Sequence, residues 1–169
     1  MFLWAKIVFG AVISLLLFRP GQCVELSPRA RLCIREASEY HSVNIAILEA
    51  IIRTESRGNP DTVTRNSNGS FDTGLTGINS IHLPELARKG VAPAQLRDEC
   101  VSIYVGAWKL SQAMFKYSNT WWAVGAYHST TPIYNSRYQA MIYNELVSMG
   151  VMAEPRLLVP PLSVSAKPK

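Results

Sequence analysis

Hydrophobic positions recur at helical spacing along most of the chain, and there is little strand signal. From Asn44 the run Ile45-Ala46-Ile47-Leu48-Glu49-Ala50-Ile51-Ile52 is nearly unbroken, then gives way to Arg53-Thr54-Glu55-Ser56-Arg57-Gly58-Asn59-Pro60. Asn44 can cap a helix here. Leu48, Ile51, Ile52 and Glu55 fall at i, i+3, i+4 and i+7 on one face of it. Gly58-Asn59-Pro60 stops it. Upstream, Ser27 and Pro28 suit the cap and first position of a helix carrying Leu32, Cys33, Glu36, Ala37 and Tyr40. His41-Ser42-Val43 is a short connection.

Residues 61–73 are mostly turn or polar residues and predict a loop. Asn68-Gly69 within it is a strong turn dipeptide and can close a small hairpin. A loop of this length in a small domain is usually functional. Gly74 and Gly77, three residues apart, let backbone pass close to a ligand or to packed protein. A short helix is predicted from Ile81 to Lys89, with Gly90 after its end, then a single turn at Pro93-Ala94-Gln95-Leu96. Asp98 caps a longer helix to about Tyr117, with Ile103, Ala107, Leu110 and Met114 on one face. Asn119 or Thr120 starts another helix through Tyr127, Thr131-Pro132 breaks it, and a last helix runs from about Ser136 to Ser148. The expected fold is mainly α: a single domain over residues 23–150 and a Pro-rich, disordered tail over 151–169.

Glu55 carries the first chemical signal. Its position continues the core stripe of its own helix, and burying a charge is costly unless it is paired or neutralised. Desolvation would raise its pKa and keep it protonated nearer neutral pH, as a general acid requires. The plain alternative is a Glu at a fraying helix end, facing water.

Residues 1–22 stand apart. Lys6 precedes twelve uncharged residues, Ile7 to Phe18, too few for a membrane-spanning helix of about 20. They fit the core of a secretory signal peptide cleaved near residues 22–25, with an uncleaved anchor as the alternative. Cys23 admits a lipoprotein reading, but Gln22 is bulky just before it. Removing residues 1–22 lowers the net charge from +5 to +3, which suits an anionic polymer or surface. Basic residues are scattered, and nothing marks a nucleic-acid binder. In an exported protein Cys33 and Cys100 pair naturally as a disulfide worth about 3–4 kcal/mol, with two buried thiols as the alternative. There is no C-x-x-C or H-E-x-x-H, so no metal or cofactor is expected. His41, His82 and His128 are far apart in sequence and suit local hydrogen bonding.

Four motifs occur in order: Glu55-Ser56-x-x-Asn59-Pro60, Gly74-Leu75-x-x-Ile78-Asn79, Gly106-Ala107-Trp108-x-Leu110 and Ala123-Val124-Gly125-Ala126-Tyr127. Together they resemble the motifs of lytic transglycosylases, lysozyme-like enzymes that cleave peptidoglycan, and especially the small branch that accompanies type III and type IV secretion, conjugation and pilus systems. That branch also places cysteines where Cys33 and Cys100 stand. The resemblance implies a lysozyme-like fold with a small loop or hairpin region beside the active-site cleft, and Glu55 as catalytic acid and base. It implies cleavage between N-acetylmuramic acid and N-acetylglucosamine with a 1,6-anhydro product. It also implies a monomer working on glycan strands in the periplasm of a Gram-negative bacterium, with secretion or pilus components as partners.

Tyr127 matches the family Tyr that lies near the catalytic Glu and helps bind substrate, and His128 follows it where the family commonly has Asn. Ser56 and Ser70 are further candidates for the cleft. Asp72, just before Gly74, would be a second carboxylate if its loop folds over the end of the Glu55 helix; otherwise it caps the turn at Thr73-Gly74. The family ordinarily has Met-Gln in place of Thr76-Gly77, and the Gln lines the sugar cleft, so Gly77 is expected to remove a polar contact. Two alternatives follow: a hydrolytic muramidase using Asp72, and a non-catalytic glycan-binding assembly factor.

Overall fold

The first two helices start where their caps predict. In a computed structural model, which describes residues 24–162, Ser27 Oγ accepts from the Ala30 amide at 2.9 Å and opens α1 (Pro28–Tyr40). Asn44 Oδ1 accepts from the Ala46 and Ile47 amides and opens α2 (Ile45–Ser56). Both caps satisfy amides that the first turn cannot pair internally. The signal peptide over 1–22 and the lipid reading of Cys23 lie outside the described residues.

α2 is apolar on two sides and divides two cores. Leu48 and Ile52 pack with Ile34 and Ala37 of α1 and with Ile103 and Ala107 of α4 (Glu99–Tyr117). Ala50 and Ile51 pack with Leu110 of α4, Val124 of α5 (Trp121–Ala126), and Tyr138, Ile142 and Leu146 of α6 (Pro132–Ser148). Burial of each Leu or Ile is worth about 1.5–3 kcal/mol, so rotating α2 would open one core or the other. Its last turn is therefore a fixed platform.

Between α2 and α4 lies an antiparallel sheet of β1 (Val63–Arg65), β2 (Phe71–Thr73) and β3 (Ile78–Asn79), in that order. The hairpin expected at Asn68-Gly69 is present, with Val63 opposite Thr73 and Arg65 opposite Phe71. β3 has two residues, too few to show an alternating pattern; it pairs Asn79 with Asp72 and Ile78 with Thr73. The turn from β2 to β3 is seated on α4. Thr76 is fully buried; its hydroxyl donates to the Ser102 carbonyl at 2.7 Å and its amide to Ser102 Oγ at 3.2 Å. A Cβ on Gly74, where φ is +80°, would lie 2.1 Å from the Leu96 carbonyl oxygen. The close approach that Gly74 permits is thus to the protein's own backbone. Ile78, Leu86, Leu96 and Val105 form a third, smaller core beneath the sheet.

Two boundaries differ from expectation. The helix predicted from Ile81 is a 3-10 turn, Ser80–His82, capped by Asn79, followed by α3 (Leu83–Arg88). The last helix starts at Pro132, four residues early, because a proline at the first position has no amide to lose. Residues 151–162, placed by sequence in a disordered tail, run beside α6 as far as they are described. Leu157 bonds the Asn144 side chain through both its amide and its carbonyl, at 2.7 and 2.8 Å, and Arg137 donates to the Pro160 carbonyl at 2.6 Å.

Cys33 and Cys100 form a disulfide with Cα atoms 5.3 Å apart, closing 67 residues and tying α1 to the first turn of α4. At the same end Ser27 donates to Glu99 and Arg29 to Asp98. The architecture is the mainly helical, lysozyme-like one expected. Replacing both cysteines by Ala should cost about 4 kcal/mol by the chain-entropy relation, a fall of about 10 °C in thermal midpoint. Calorimetry on the oxidised wild type and the double variant checks this; equal midpoints would count against it.

Candidate active site

Glu55 is the penultimate residue of α2. Leu48, Ile51 and Ile52 of its face are fully buried, so the apolar stripe carries the carboxyl to the point where core ends and a cleft begins. The cleft encloses about 740 Å³. Asp72 and Asn79 of the sheet line one side, Trp108, Lys109 and Gln112 of α4 another, and Tyr127 and His128 after α5 a third. Gly77 also lines it. There φ is +61°, and a Cβ would lie 2.7 Å from Glu55 Oε2. The missing side chain at position 77 is thus the room that the carboxyl occupies.

Burial pushes the Glu55 carboxyl up from its ordinary value near 4.5 to about 7. A hydrogen bond from Tyr138 opposes the shift, the nearby Asp72 charge reinforces it, and the Lys109 charge opposes it. The carboxyl can therefore hold a proton at neutral pH and also release it. Tyr138, on the buried face of α6, donates its hydroxyl to Glu55 Oε1 at 2.6 Å. Its ring stacks on His128 at 5.0 Å between centroids and on Tyr127 at 6.2 Å. Tyr127 is itself buried and donates to the Thr76 carbonyl at 2.6 Å. It thus joins the end of α5 to the Gly74–Gly77 turn while also lining the cleft. Burial raises both phenols well above their ordinary value, so both remain O–H donors. Burial lowers the pKa of His82 and of His128, which also lie along the cleft. His41 packs instead against Tyr40 and Tyr104.

Fully buried Asn135 fixes the relation between α5 and α6. Its amide nitrogen donates to the Trp122 and Ser129 carbonyls at 3.1 and 3.0 Å. Gly125 leaves it room, since a Cβ there would lie 2.3 Å from Asn135 Oδ1. The same lock sets Tyr127 and His128 against Tyr138.

Asp72 caps no turn. It stands on β2 and lines the cleft, with Oδ1 accepting from Asn79 Nδ2 at 2.7 Å and Oδ2 from Asn66 Nδ2 at 2.9 Å. Ser70 Oγ accepts from the same two amides at 3.2 and 3.1 Å and donates to Asn68 Oδ1 at 2.7 Å. The hairpin therefore holds Asp72 in a bracket of two amides, and Ser70 is part of that bracket. Ser56, expected in the cleft, is elsewhere. It is buried, donating to the Ile52 carbonyl at 2.9 Å and accepting from the Gly58 amide at 3.1 Å. Its hydroxyl finishes the helix that carries Glu55.

Tyr138, Lys109 and Asn66 belong to the site without having been singled out from sequence, and Asn79 entered only as the last residue of the second motif. Tyr138 had a readable signal. It shares a core stripe with Ile142 and Leu146, so its hydroxyl needed a buried partner, as Glu55 did. Lys109 interrupts the apolar stretch between Trp108 and Leu110. The two asparagines are brought together only by hairpin pairing. Among the described residues no group of three or more His, Cys, Asp or Glu could hold a metal ion.

The chain is similar to invasion protein IagB of Salmonella typhimurium, 39% identical over 100 residues, covering 59% of this chain and 62% of the relative. It is 37% identical over 98 residues to the X polypeptide of Escherichia coli, covering 57% of this chain and 58% of the relative. It is 35% identical over 100 residues to protein IpgF of Shigella flexneri, covering 59% and 66%. In each case the match spans less than two thirds of the relative's own length. The family model described as Transglycosylase SLT domain matches residues 32–141. That range takes in every wall of the cleft, and the chain belongs to the transglycosylase SLT domain family.

Proposed function

We propose that the protein is a peptidoglycan lytic transglycosylase with Glu55 as its acid and base. The observation that carries this is one carboxyl at the cleft, lifted to about 7 by burial and held by a phenolic hydroxyl. Protonated Glu55 gives its proton to the glycosidic oxygen between N-acetylmuramic acid and N-acetylglucosamine. The C1–O bond breaks, its electron pair leaves with the oxygen, and the muramyl C1 becomes oxocarbenium-like. The sugar's own acetamido group helps to stabilise that centre. The Glu55 carboxylate then takes the proton of the muramyl 6-hydroxyl as that oxygen bonds to C1. A 1,6-anhydro end forms and Glu55 regains its proton. A pKa near the working pH suits both halves of the cycle, and the Tyr138 hydroxyl stabilises the carboxylate between them.

Asp72, aligned by Asn66 and Asn79, supplies negative charge for the cationic centre. A carboxylate held this firmly also favours a second reading, in which it positions water and the product is a reducing end. The word invasion in one relative's name supports an exported protein. It would act in the periplasm and open the wall locally for a secretion or conjugation apparatus.

Digestion of purified sacculi, with products read by mass spectrometry, tests the reading. Glu55→Gln should lower turnover roughly 10²–10⁴-fold, as loss of a general acid does, with anhydro-muropeptides as the wild-type product. Reducing ends that disappear in Asp72→Asn would establish the muramidase instead. Intact activity in Glu55→Gln would sink both.

The rate needs protonated Glu55, so kcat/KM should fall as pH rises through about 7. Tyr138→Phe removes a donor that favours the charged form, so the folded-state pKa rises and this alkaline limb moves to higher pH. A limb that stays in place in the pH profile would remove Tyr138 from control of Glu55.

The same shift makes Glu55 a liability to the fold. Below about 4.5 the carboxyl is protonated in both states and its favourable contribution is complete. Between about 4.5 and about 7 only the unfolded chain releases the proton, so stability falls by up to about 3 kcal/mol and then levels off. Glu55→Gln should therefore raise the thermal midpoint by several degrees at pH 8 and leave it nearly unchanged at pH 4. Parallel melting curves at the two pH values decide.

A further inference from the structure

Lys109 lies on α4 between Trp108 and Leu110, half-buried, and lines the cleft. Its Nζ stands 4.7 Å from the centroid of the Tyr127 ring. It makes no hydrogen bond or ion pair with any described residue. The other groups of the site are provided for: Glu55 by Tyr138, and Asp72 by Asn66 and Asn79. An ammonium has three donors, and an aromatic face stabilises the charge without accepting an N–H···O bond. Burial lowers the Lys109 pKa from its ordinary value, and the Glu55 and Asp72 charges oppose that shift. The geometry leaves a partly desolvated Nζ whose donors are free to meet something that enters the cleft.

The chemistry of that visitor follows from the polymer, on the reading given above. Sugar hydroxyls and acetamides are neutral, and Asn66, Asn79 and Gln112 already line the cleft with neutral amides. A charged donor adds discrimination where the ligand is charged. The anionic groups of a peptidoglycan strand are carboxylates on the 3-O-lactyl substituent of the muramyl sugar. They belong either to the lactyl group itself, where the stem peptide has been removed, or to that peptide. The muramyl sugar is the one whose C1 reacts at Glu55, so its substituent enters the same cleft. We propose that Lys109 is a specificity residue that binds a carboxylate on the muramyl substituent and makes the enzyme select strands bearing it.

The test compares wild type, Lys109→Met and Lys109→Arg on three forms of one glycan preparation. These are intact peptide-bearing strands, strands stripped by an amidase so that each lactyl carboxylate is free, and stripped strands whose carboxylates have been converted to neutral methylamides. Losing a hydrogen bond to a charged group should lower kcat/KM about 10- to 100-fold, chiefly through KM. Lys109→Met should show that loss on strands with a free carboxylate and, on methylamides, only the smaller change that follows from removing a charge beside Glu55, with Lys109→Arg recovering most of it. A loss confined to stripped strands assigns the lactyl carboxylate, and one confined to intact strands the peptide carboxylate. Equal losses on all three, or a shifted pH profile with the substrate ratios unchanged, would overturn the proposal. Equilibrium binding of fluorescent stripped and methylamidated strands to Glu55→Gln, with and without Lys109→Met, gives the same contrast without turnover. If no polymer is cleaved but this contrast appears, the transglycosylase reading fails and the carboxylate site stands; no contrast overturns the site alone.

Discussion

Along one face of α2 the environment passes from fully buried at Leu48, Ile51 and Ile52 to the cleft at Glu55, and the carboxyl delivered there receives its hydrogen bond from Tyr138. A helix that packs on two sides cannot turn to relieve that burial. The surroundings must therefore make room for the carboxyl and hold it. Room comes from Gly77, whose bare Cα faces the carboxyl. The hold comes from α6, placed by Asn135 against the end of α5. Gly77 is in turn positioned by Thr76, which bonds Ser102 and lies against Gly106 so closely that a Cβ on Gly106 would come within 2.6 Å of it. The disulfide, remote from the cleft, anchors the start of the same α4 to α1. Gly77 and Tyr138 thus meet the two oxygens of one side chain.

The cleft separates its charges by how each is supported. Asp72 is bracketed by two amides, while Glu55 is held by a single phenol in a drier place that raises its pKa. Tyr127, Tyr138 and His128 stack beside Glu55 as a rigid aromatic wall. That wall dries the carboxyl without adding charge to it. A proton shared between states near neutral pH requires this balance, because either full exposure or full burial would fix the carboxyl in one form.

The helices were legible because their signals are local. Ser27, Asn44, Asp98 and Thr120 all cap through their side chains as their sequence positions suggest. Glu55 could be read because a carboxyl on a core stripe conflicts with its neighbours, and such conflicts concentrate at functional sites. The ordered motifs, now matched by the family over residues 32–141, placed Tyr127 and His128 in the cleft, where both lie. The rest depends on contacts distant in sequence. Nothing near Tyr138 announces Glu55, 83 residues away. Asn66 and Asn79 meet at Asp72 through strand pairing that a two-residue β3 cannot advertise. Ser56 was misplaced because adjacency to Glu55 in sequence is not adjacency in space: successive helical residues point about 100° apart.

Thr76-Gly77 invites the view that this chain has a degraded site, since the family carries larger residues there. The packing argues differently. Thr76 is bonded through its hydroxyl and its amide in a fully buried pocket, and its carbonyl is taken by Tyr127. Burial demands that satisfaction whatever the turn does, so the bonds show an ordered turn rather than a collapsed one. Gly77 does remove a side chain from the wall, but the vacated space is occupied by the Glu55 carboxyl. The turn therefore contributes by shape and backbone. On the proposed function, the polar contacts available to a glycan are the Asn66–Asn79 bracket on one wall and Lys109 with Gln112 on another.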